Sequence, residues 1–258
     1  MAASTAEEIM TAKVIAVQLE DDVSQVGQIM LDKHIKRVPV LMGDKLAGII
    51  SRSDMVKMLL GGRETIEELL DKYAKLVVGT GVNLQRKQLL VINAPIECAD
   101  FARRVAAAGY EAGAHDVVIC WNDEKFAKLR YTMAGKAVFT EFPEWRRLLY
   151  TDYAEQGAAF VSILAEDPEI FQSVDPDKLM LSQKAAGAAL LEYRQRLMNN
   201  ENSWCVVSIP TKAWAAKVFP EMPPEKAIDA LWQAIFAAVR IRPGEDPVAA
   251  WQAHTEFL

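Results

Sequence analysis

Residues 89–121 read LLVINAPIECADFARRVAAAGYEAGAHDVVICW, and this stretch decides the fold. Residues 89–92 form a short apolar run of the kind found in a strand that is buried on both faces. Pro95 suits the first turn of a following helix, where its missing N–H is not needed, and Gly113 suits the residue that ends this helix. Residues 117–120 form a second buried strand. A strand–helix–strand crossover of this length predicts a parallel pair of strands.

Further strands and helices alternate through the rest of the chain. Two more buried strands are predicted at residues 160–164 and 204–209. Helices are predicted at residues 64–78, 124–133, 144–156, 178–199, 211–218 and 224–239, and a last helix opens at Asp246 and Pro247. This alternation predicts an α/β fold with a mainly parallel sheet.

The first 62 residues have a different pattern. Short strands are predicted at residues 14–17, 37–42 and 46–50, and helices after Asp22 and from residue 51 to residue 60. The order is therefore β-α-β-β-α, with a hairpin turn at Gly43. Gly61 and Gly62 indicate a flexible joint. We therefore predict a small module at residues 1–62 and a larger α/β domain at residues 63–258.

Composition excludes several classes of protein. The net charge is −6, with 29 basic and 35 acidic residues interleaved, so a nucleic-acid-binding role is not expected. The chain has no run of about 18 apolar residues, so no membrane span is expected. Its first residues carry acidic groups and no apolar signal core, which predicts a cytoplasmic location. Cys98, Cys120 and Cys205 form no CxxC pair and are predicted to be reduced thiols.

A search for catalytic motifs is negative. The chain has three histidines and no HExxH, GxSxG, GxGxxG or P-loop motif. His115 precedes Cys120 by five positions, but a surface histidine beside a buried thiol explains this spacing better than a catalytic couple. The carboxylates near predicted strand ends include Asp152 and Glu166, and we interpret them as solvated surface groups. No constellation in these residues is expected to carry hydrolysis by itself.

The small module contains three segments that together resemble a CBS domain motif. They are MTAKVIAV at residues 10–17, HIKRVPVL at residues 34–41 and GIISRSDM at residues 48–55. The resemblance covers about residues 7–60. It implies a cleft that binds an adenosine-containing ligand such as AMP, ATP or S-adenosylmethionine.

The resemblance also suggests which residues would hold that ligand. Ser51, at a helix N-terminus, would bind a phosphate, and the Asp54 carboxylate would hold the ribose hydroxyls. The base would lie near Thr11 and Ile15, and the cleft would be lined by Arg37 and Pro39. The alternative is purely structural: Ser51 is a helix cap and Asp54 a first-turn charge.

Only one such motif is present, whereas CBS motifs usually occur in pairs. A single motif exposes a sheet face that a second motif would cover. Either two chains pair with each other or the rest of this chain covers the face. The first arrangement predicts a homodimer with two-fold symmetry.

The larger domain resembles the aminopeptidase T-type metallopeptidases, also called thermophilic metalloproteases, which include AmpS and PepS. The matching segments are residues 69–123, RYTMAGKAVFTEFPEW at 130–145, GAAFVSILAEDPEIFQSVDP at 157–176, NSWCVVSIPTKAWAAKVFP at 202–220, and residues 227–254. The resemblance is collinear over about residues 66–258. It implies an enzyme that removes N-terminal residues from peptides with a pair of divalent metals, such as zinc or cobalt.

The same resemblance limits what this chain is expected to do. The family's metal-binding glutamates, histidines and aspartate lie in its C-terminal half, so no catalytic or metal-binding residue maps onto this sequence. Residues 63–258 would correspond to the N-terminal domain, which helps form the dimer and frames access to the site. The last residue, Leu258, falls within a predicted helix, so we expect a chain truncated before the catalytic half.

Three hypotheses follow from these resemblances. The chain is a metalloaminopeptidase scaffold that needs a missing metal-binding half, or it is a non-catalytic regulatory or dimerisation protein that senses an adenosine nucleotide. The third possibility is a fusion in which neither part retains its function.

Overall fold

A computed structural model describes residues 14–59, 64–165 and 167–257 of the chain. The chain divides into two compact units, Met1–Thr65 and Ile66–Leu258. Thr11, the glycine joint at residues 61 and 62, Glu166 and the last residue lie outside the described residues. Within the described ranges, no helix is both long enough and apolar enough to cross a membrane.

The first unit contains a three-stranded sheet and two helices in the predicted order. The elements are β1 (Val17–Gln18), α1 (Val23–Asp32), β2 (Arg37–Met42), β3 (Lys45–Ser51) and α2 (Arg52–Leu59). Strand β2 lies in the middle, parallel to β1 and antiparallel to β3. Strand β1 lies later than predicted, because only Val17 and Gln18 pair with β2.

Local sequence explains where these elements begin and turn. The Asp22 carboxylate accepts a hydrogen bond of 2.8 Å from the backbone N–H of Ser24 and so caps α1. Gly43 turns the hairpin with a φ of 63°, which glycine adopts without steric cost. The small core consists of Val17, Val26, Met30, Val38 and Val40.

The second unit is built on a four-stranded parallel sheet. Its strands are β4 (Leu89–Pro95), β5 (Asp116–Asn122), β6 (Ala159–Leu164) and β7 (Trp204–Ser208), in the spatial order β5-β4-β6-β7. All three neighbouring pairs are parallel. The prediction of an α/β fold with a mainly parallel sheet is therefore confirmed.

Nine helices of this unit lie among the described residues. They are α3 (Ile66–Leu76), α4 (Ala99–Glu111), α5 (Glu124–Met133), α6 (Glu144–Glu155), α7 (Pro176–Ala189), α8 (Leu191–Met198), α9 (Lys212–Val218), α10 (Pro224–Ala238) and α11 (Pro247–Phe257). A π-turn at Val77–Gly81 follows α3, and a 3-10 turn at Ile96–Cys98 precedes α4.

Each face of the parallel sheet has its own hydrophobic core. On one face, Leu90 and Ile92 pack with Phe101 of α4 and with residues of α3 and α10. On the other face, Val91 and Phe160 pack against Ala154, Ala158 and Tyr193. Strand β4 is therefore buried on both sides, as its continuous apolar run predicts.

Tyr73 of α3 contacts α4, α10 and the end of β7 on the sheet face that carries Leu90 and Ile92. Its ring lies 5.0 Å from that of Phe101 and 6.4 Å from that of Phe236, measured between centroids. Its hydroxyl donates a hydrogen bond of 3.2 Å to the carbonyl of Ser208, at the end of β7. Burial raises the pKa of this hydroxyl to about 12.

Two local predictions were wrong. Pro95 does not open the helix: its φ of −61° and ψ of 144° continue the extended chain, and it pairs with Asn122 at the end of β4. The single helix predicted over residues 178–199 is two helices that meet at Leu190, whose φ is −101° and ψ 17°. The break redirects the chain so that Tyr193 packs against Phe160 at a centroid distance of 5.0 Å.

Candidate functional site

The first unit contains a small basic cleft that includes part of the predicted nucleotide site. The cleft has a volume of about 600 Å³ and is lined by Lys36, Arg37, Ser51, Arg52 and Ser53. Arg37 and Ser51 are cross-strand partners in the β2–β3 ladder, so their side chains share one face of the sheet. The structure therefore brings these two predicted residues together.

Among the described residues, Pro39, Ile15 and Asp54 of the predicted nucleotide site lie outside this lining. Pro39 is half-buried and pairs with Ile49 on the same sheet face as Arg37. Ile15 precedes β1 and has 38% of its surface exposed. Thr11 lies outside the described residues, so the structure tests nothing about its role.

Ser51 and Asp54 contact each other directly. The Asp54 carboxylate accepts hydrogen bonds from the backbone N–H of Ser51 at 2.8 Å and from its hydroxyl at 2.7 Å. The backbone N–H of Asp54 donates to the same hydroxyl at 3.3 Å. This reciprocal arrangement caps the start of α2 and places a negative charge at the positive end of its dipole. A phosphate bound at this N-terminus would face the Asp54 carboxylate.

Sequence reasoning missed two cations of the cleft, Lys36 and Arg52. Arg52 is held by hydrogen bonds from Nε to the Ile35 carbonyl at 3.1 Å and from Nη2 to the Met30 carbonyl at 3.3 Å. No ion pair joins Lys36, Arg37 or Arg52 to a carboxylate of the described residues. Both missed residues lie inside the quoted motif segments, as the lysine before Arg37 and the arginine after Ser51, so the signal was present in the sequence.

The carboxyl ends of the parallel strands in the second unit carry amides and hydroxyls. Asn93 and Asn122 lie at the ends of β4 and β5, and Ser162 and Ser208 near the ends of β6 and β7. Ligands of α/β proteins commonly bind beyond these strand ends. Amide and hydroxyl groups suit hydrogen bonding to a ligand better than holding a zinc or cobalt ion.

Two carboxylates that follow strands, Asp123 and Asp167, have structural roles. Asp123 caps α5 by accepting a hydrogen bond of 2.9 Å from the backbone N–H of Phe126. Asp167 accepts one of 3.0 Å from the backbone N–H of Glu169. Throughout the described part of the chain, no three His, Cys, Asp or Glu side chains group closely enough to hold a metal ion. The residues that the structure describes therefore do not fit a pair of divalent metals.

The three thiols are free and are not activated as nucleophiles. Burial raises the pKa of Cys98 to about 11, and the nearby Glu97 and Glu124 carboxylates add to the shift. Burial also raises the pKa values of Cys120 and Cys205. A thiol with a raised pKa carries little thiolate at neutral pH, so nucleophilic cysteine chemistry has no support in these positions.

Comparison with known proteins identifies both parts of the chain. The sequence profile of the thermophilic metalloprotease family (M29) matches residues 66–258. The chain belongs to the thermophilic metalloprotease family. A CBS domain profile matches residues 6–61, in front of the metalloprotease part. Both resemblances inferred from the sequence motifs are therefore confirmed.

Several curated relatives of this metalloprotease-family chain are aminopeptidases. Aminopeptidase 2 of Geobacillus stearothermophilus is 44% identical over 192 residues, which cover 74% of this chain and 46% of that protein. Aminopeptidase AmpS of Bacillus subtilis is 39% identical over 195 residues, or 76% of this chain and 47% of the relative. The chain thus spans about half the length of the curated relatives it matches.

A solved structure in the family agrees with the fold described above. Wild-type AmpT from Thermus thermophilus superposes with a TM-score of 0.68 at 30% sequence identity. The superposition covers 74% of this chain and 47% of the AmpT chain. The α/β unit of the metalloprotease-family chain therefore has the fold of about half of an aminopeptidase T.

Proposed function

We propose that residues 66–258 serve as the non-metal-binding N-terminal half of an aminopeptidase-type metallopeptidase. When a metal-binding half completes it, on the same polypeptide or on a separate one, the assembly removes N-terminal residues from peptides. These residues by themselves form a scaffold and do not catalyse hydrolysis. The pair of divalent metals, such as zinc or cobalt, belongs to the other half.

The composition of the strand ends carries this proposal. The carboxyl edge of the sheet presents asparagine and serine side chains, and two acidic residues beyond it, Asp123 and Asp167, are occupied as a helix cap and a turn residue. The match to about half of each aminopeptidase relative supports the same separation into a scaffold half and a metal-binding half. A scaffold half without metal ligands explains both observations.

A peptidase assay tests the scaffold proposal. The purified chain is incubated with leucine p-nitroanilide and with cobalt, zinc or manganese in turn. The proposal predicts no release of nitroaniline above the metal-only blank. Saturable, chelator-sensitive turnover by the chain alone would show that a catalytic site exists within these residues.

A second candidate function concerns the small module, and the basic cleft favours it. We propose that this cleft binds the phosphates of an adenosine nucleotide such as AMP or ATP. Lys36, Arg37 and Arg52 supply positive charge without ion pairs to described carboxylates, and Ser51 and Ser53 supply hydroxyls. In this alternative the chain is a regulatory or dimerisation protein, and the Ser51–Asp54 cap must open or rotate when the nucleotide binds.

A melting scan with AMP, ATP and S-adenosylmethionine tests the nucleotide candidate. A ligand at 100 times its dissociation constant should stabilise the unit that binds it by about 2.7 kcal/mol. The Arg37→Met variant should lose the response, whereas Lys45→Met, outside the cleft, should keep it. Unchanged melting with all three ligands would refute nucleotide binding.

Self-association and location are part of the same proposal. We infer that the chain forms a homodimer, because the first unit exposes large apolar side chains on its sheet, including Leu46 and Ile49. Light scattering that gives a monomer mass at micromolar concentration would refute the dimer.

Free Cys98, Cys120 and Cys205 support a reducing, cytoplasmic location, which cell fractionation would test.

A further inference from the structure

Strands β4 and β6 are neighbours, but the chain leaves them in opposite directions. From β4 it passes through α4 to β5 on one side, and from β6 it passes through α7 and α8 to β7 on the other. Such a topological switch point is where α/β proteins commonly bind ligands, outside the carboxyl ends of the strands. Asn93 of β4 pairs with Ser162 of β6 close to this point.

Polar side chains gather on one face of the sheet beside this switch point. Asn93 pairs with Cys120, and Pro95 with Asn122, in the β4–β5 ladder. Since aligned residues of paired strands share a face, Asn93, Cys120 and Asn122 project on the same side. Helix α6 covers that side with Tyr150, which packs on the same core as Val91 and Cys120.

Hydrogen bonds within this group use the oxygen atoms of both amides. The Tyr150 hydroxyl donates to Oδ1 of Asn93 at 2.9 Å. Nη2 of Arg146 donates to Oδ1 of Asn122 at 3.2 Å. An asparagine whose oxygen is occupied presents its NH₂ group as a donor. No described residue accepts a hydrogen bond from either of these two NH₂ groups.

Arg146 adds a half-buried positive charge to this group. Its guanidinium carbon lies 6.0 Å from the centre of the Phe142 ring. Burial raises the pKa values of Cys120 and Tyr150, and the nearby charge of Arg146 opposes both increases. No ion pair joins it to a carboxylate of the described residues, whereas the adjacent Arg147 is paired with Glu144 at 2.5 Å. The charge of Arg146 is therefore available to an anion.

We propose that Arg146, Asn122 and Asn93 form a binding site for a carboxylate group at the switch point. A guanidinium offers two parallel N–H donors that match the two oxygens of a carboxylate. The two amide NH₂ groups supply further donors, and the guanidinium lies over the Phe142 ring. The carboxylate comes either from the C-terminus of a short peptide or from a free organic acid. Binding here requires no hydrolysis and no metal.

The experiment observes the arginine Nε–H signals of the full chain by ¹⁵N NMR during titration. The probes are the tripeptide Leu-Gly-Gly, its C-terminal amide and succinate. The proposal predicts a saturable shift of the Arg146 signal with a carboxylate probe. If the peptide C-terminus is the source, the amide should bind at least about ten-fold more weakly than the free acid, since a charge-assisted hydrogen bond is lost.

Three variants separate the site from nonspecific binding. Arg146→Met should weaken binding by about ten-fold or more. Asn122→Asp places a carboxylate opposite Arg146, so it should block the probes while the melting temperature is kept. Arg147→Met is the matched control and should bind as the parent chain does, because Arg147 already pairs with Glu144.

The outcomes test whether the site exists and identify the source of the carboxylate. A response to Leu-Gly-Gly but not to its amide supports a peptide carboxylate, and a response to succinate alone supports a free acid. The absence of any saturable shift would overturn the site. Equal binding by Arg146→Met or by Asn122→Asp in a folded chain would also overturn it.

Discussion

Replacing Asn202 with alanine should destabilise the second unit by about 2 kcal/mol. Asn202 has 2% of its surface exposed and precedes β7. Its Nδ2 donates hydrogen bonds to the carbonyls of Ala154 at 3.0 Å and of Ala158 at 2.9 Å. These bonds tie the end of α6 and the start of β6 to the segment that leads into the edge strand.

The magnitude follows from the number of bonds lost. Each buried hydrogen bond contributes about 1 kcal/mol net, which predicts a loss of about 2 kcal/mol for two. The Ala154 carbonyl keeps a second donor, the backbone N–H of Gly157 at 3.0 Å, so the penalty for an unpaired acceptor falls mainly on Ala158. The unpaired Oδ1 of Asn202 is removed at the same time, which prevents a larger loss.

An aspartate at this position should destabilise more than alanine at pH 7. Its carboxylate would lie against two carbonyls at the negative end of the α6 dipole, so its pKa would rise above that of the unfolded chain. The stability difference between Asn202→Asp and Asn202→Ala should therefore shrink as the pH falls towards 4, because the protonated acid donates one hydrogen bond.

Urea unfolding followed by tryptophan fluorescence and circular dichroism measures both effects. Asn199→Ala is the matched control, because its amide makes only an exposed bond of 3.3 Å to Glu201, and it should change stability little. A loss below about 0.5 kcal/mol for Asn202→Ala, or equal losses for the aspartate and alanine variants at pH 7, would show that the two amide hydrogen bonds do not stabilise this unit as expected.

Three further predictions concern other buried groups. Because the pKa of Tyr73 is raised to about 12, the stability that this group contributes is complete below pH 10 and falls above it. Between pH 9 and 11 the parent chain should therefore lose about 1 kcal/mol more in urea unfolding than Tyr73→Phe, and equal losses would contradict this. With a pKa of about 11, Cys98 should react with a thiol reagent at pH 8 far more slowly in the folded chain than in urea; equal rates would refute its protection. Gly81→Ala should destabilise the chain by about 1–3 kcal/mol, because the new Cβ would lie 2.9 Å from Sγ of Cys205. The double variant that also carries Cys205→Ala should recover part of this loss. Strictly additive effects of the two substitutions would show that the contact is not the cause.

Strong local patterns made much of the fold predictable. The apolar runs that form β4 and β6 are short, which favours strands buried on both faces over helices, and the crossover between β4 and β5 requires these two strands to be parallel. Position Pro95 was misassigned because proline is compatible both with a helix start and with the last residue of a strand. The break at Leu190 has no local signal, since it results from packing of Tyr193 on the sheet.

The candidate sites were predictable only in part, for the same reason. The resemblance to a CBS motif predicted Arg37 and Ser51 as site residues, and adjacent strands do place them together. It did not reveal that Ser51 and Asp54 bind each other, which depends on side-chain conformation. The proposed carboxylate site depends on contacts between segments far apart in sequence. Tyr150 bonds to Asn93 and Arg146 bonds to Asn122, and both contacts form only because α6 packs on the sheet.

The central claim is that this family member supplies a scaffold without metal ligands. Equilibrium dialysis of the purified chain against cobalt or zinc, followed by measurement of metal per chain, tests it most directly. A scaffold without metal ligands should retain less than one ion per chain, and unfolding should not change the retention. Two ions retained per folded chain and released on unfolding would show instead that these residues hold the metal pair.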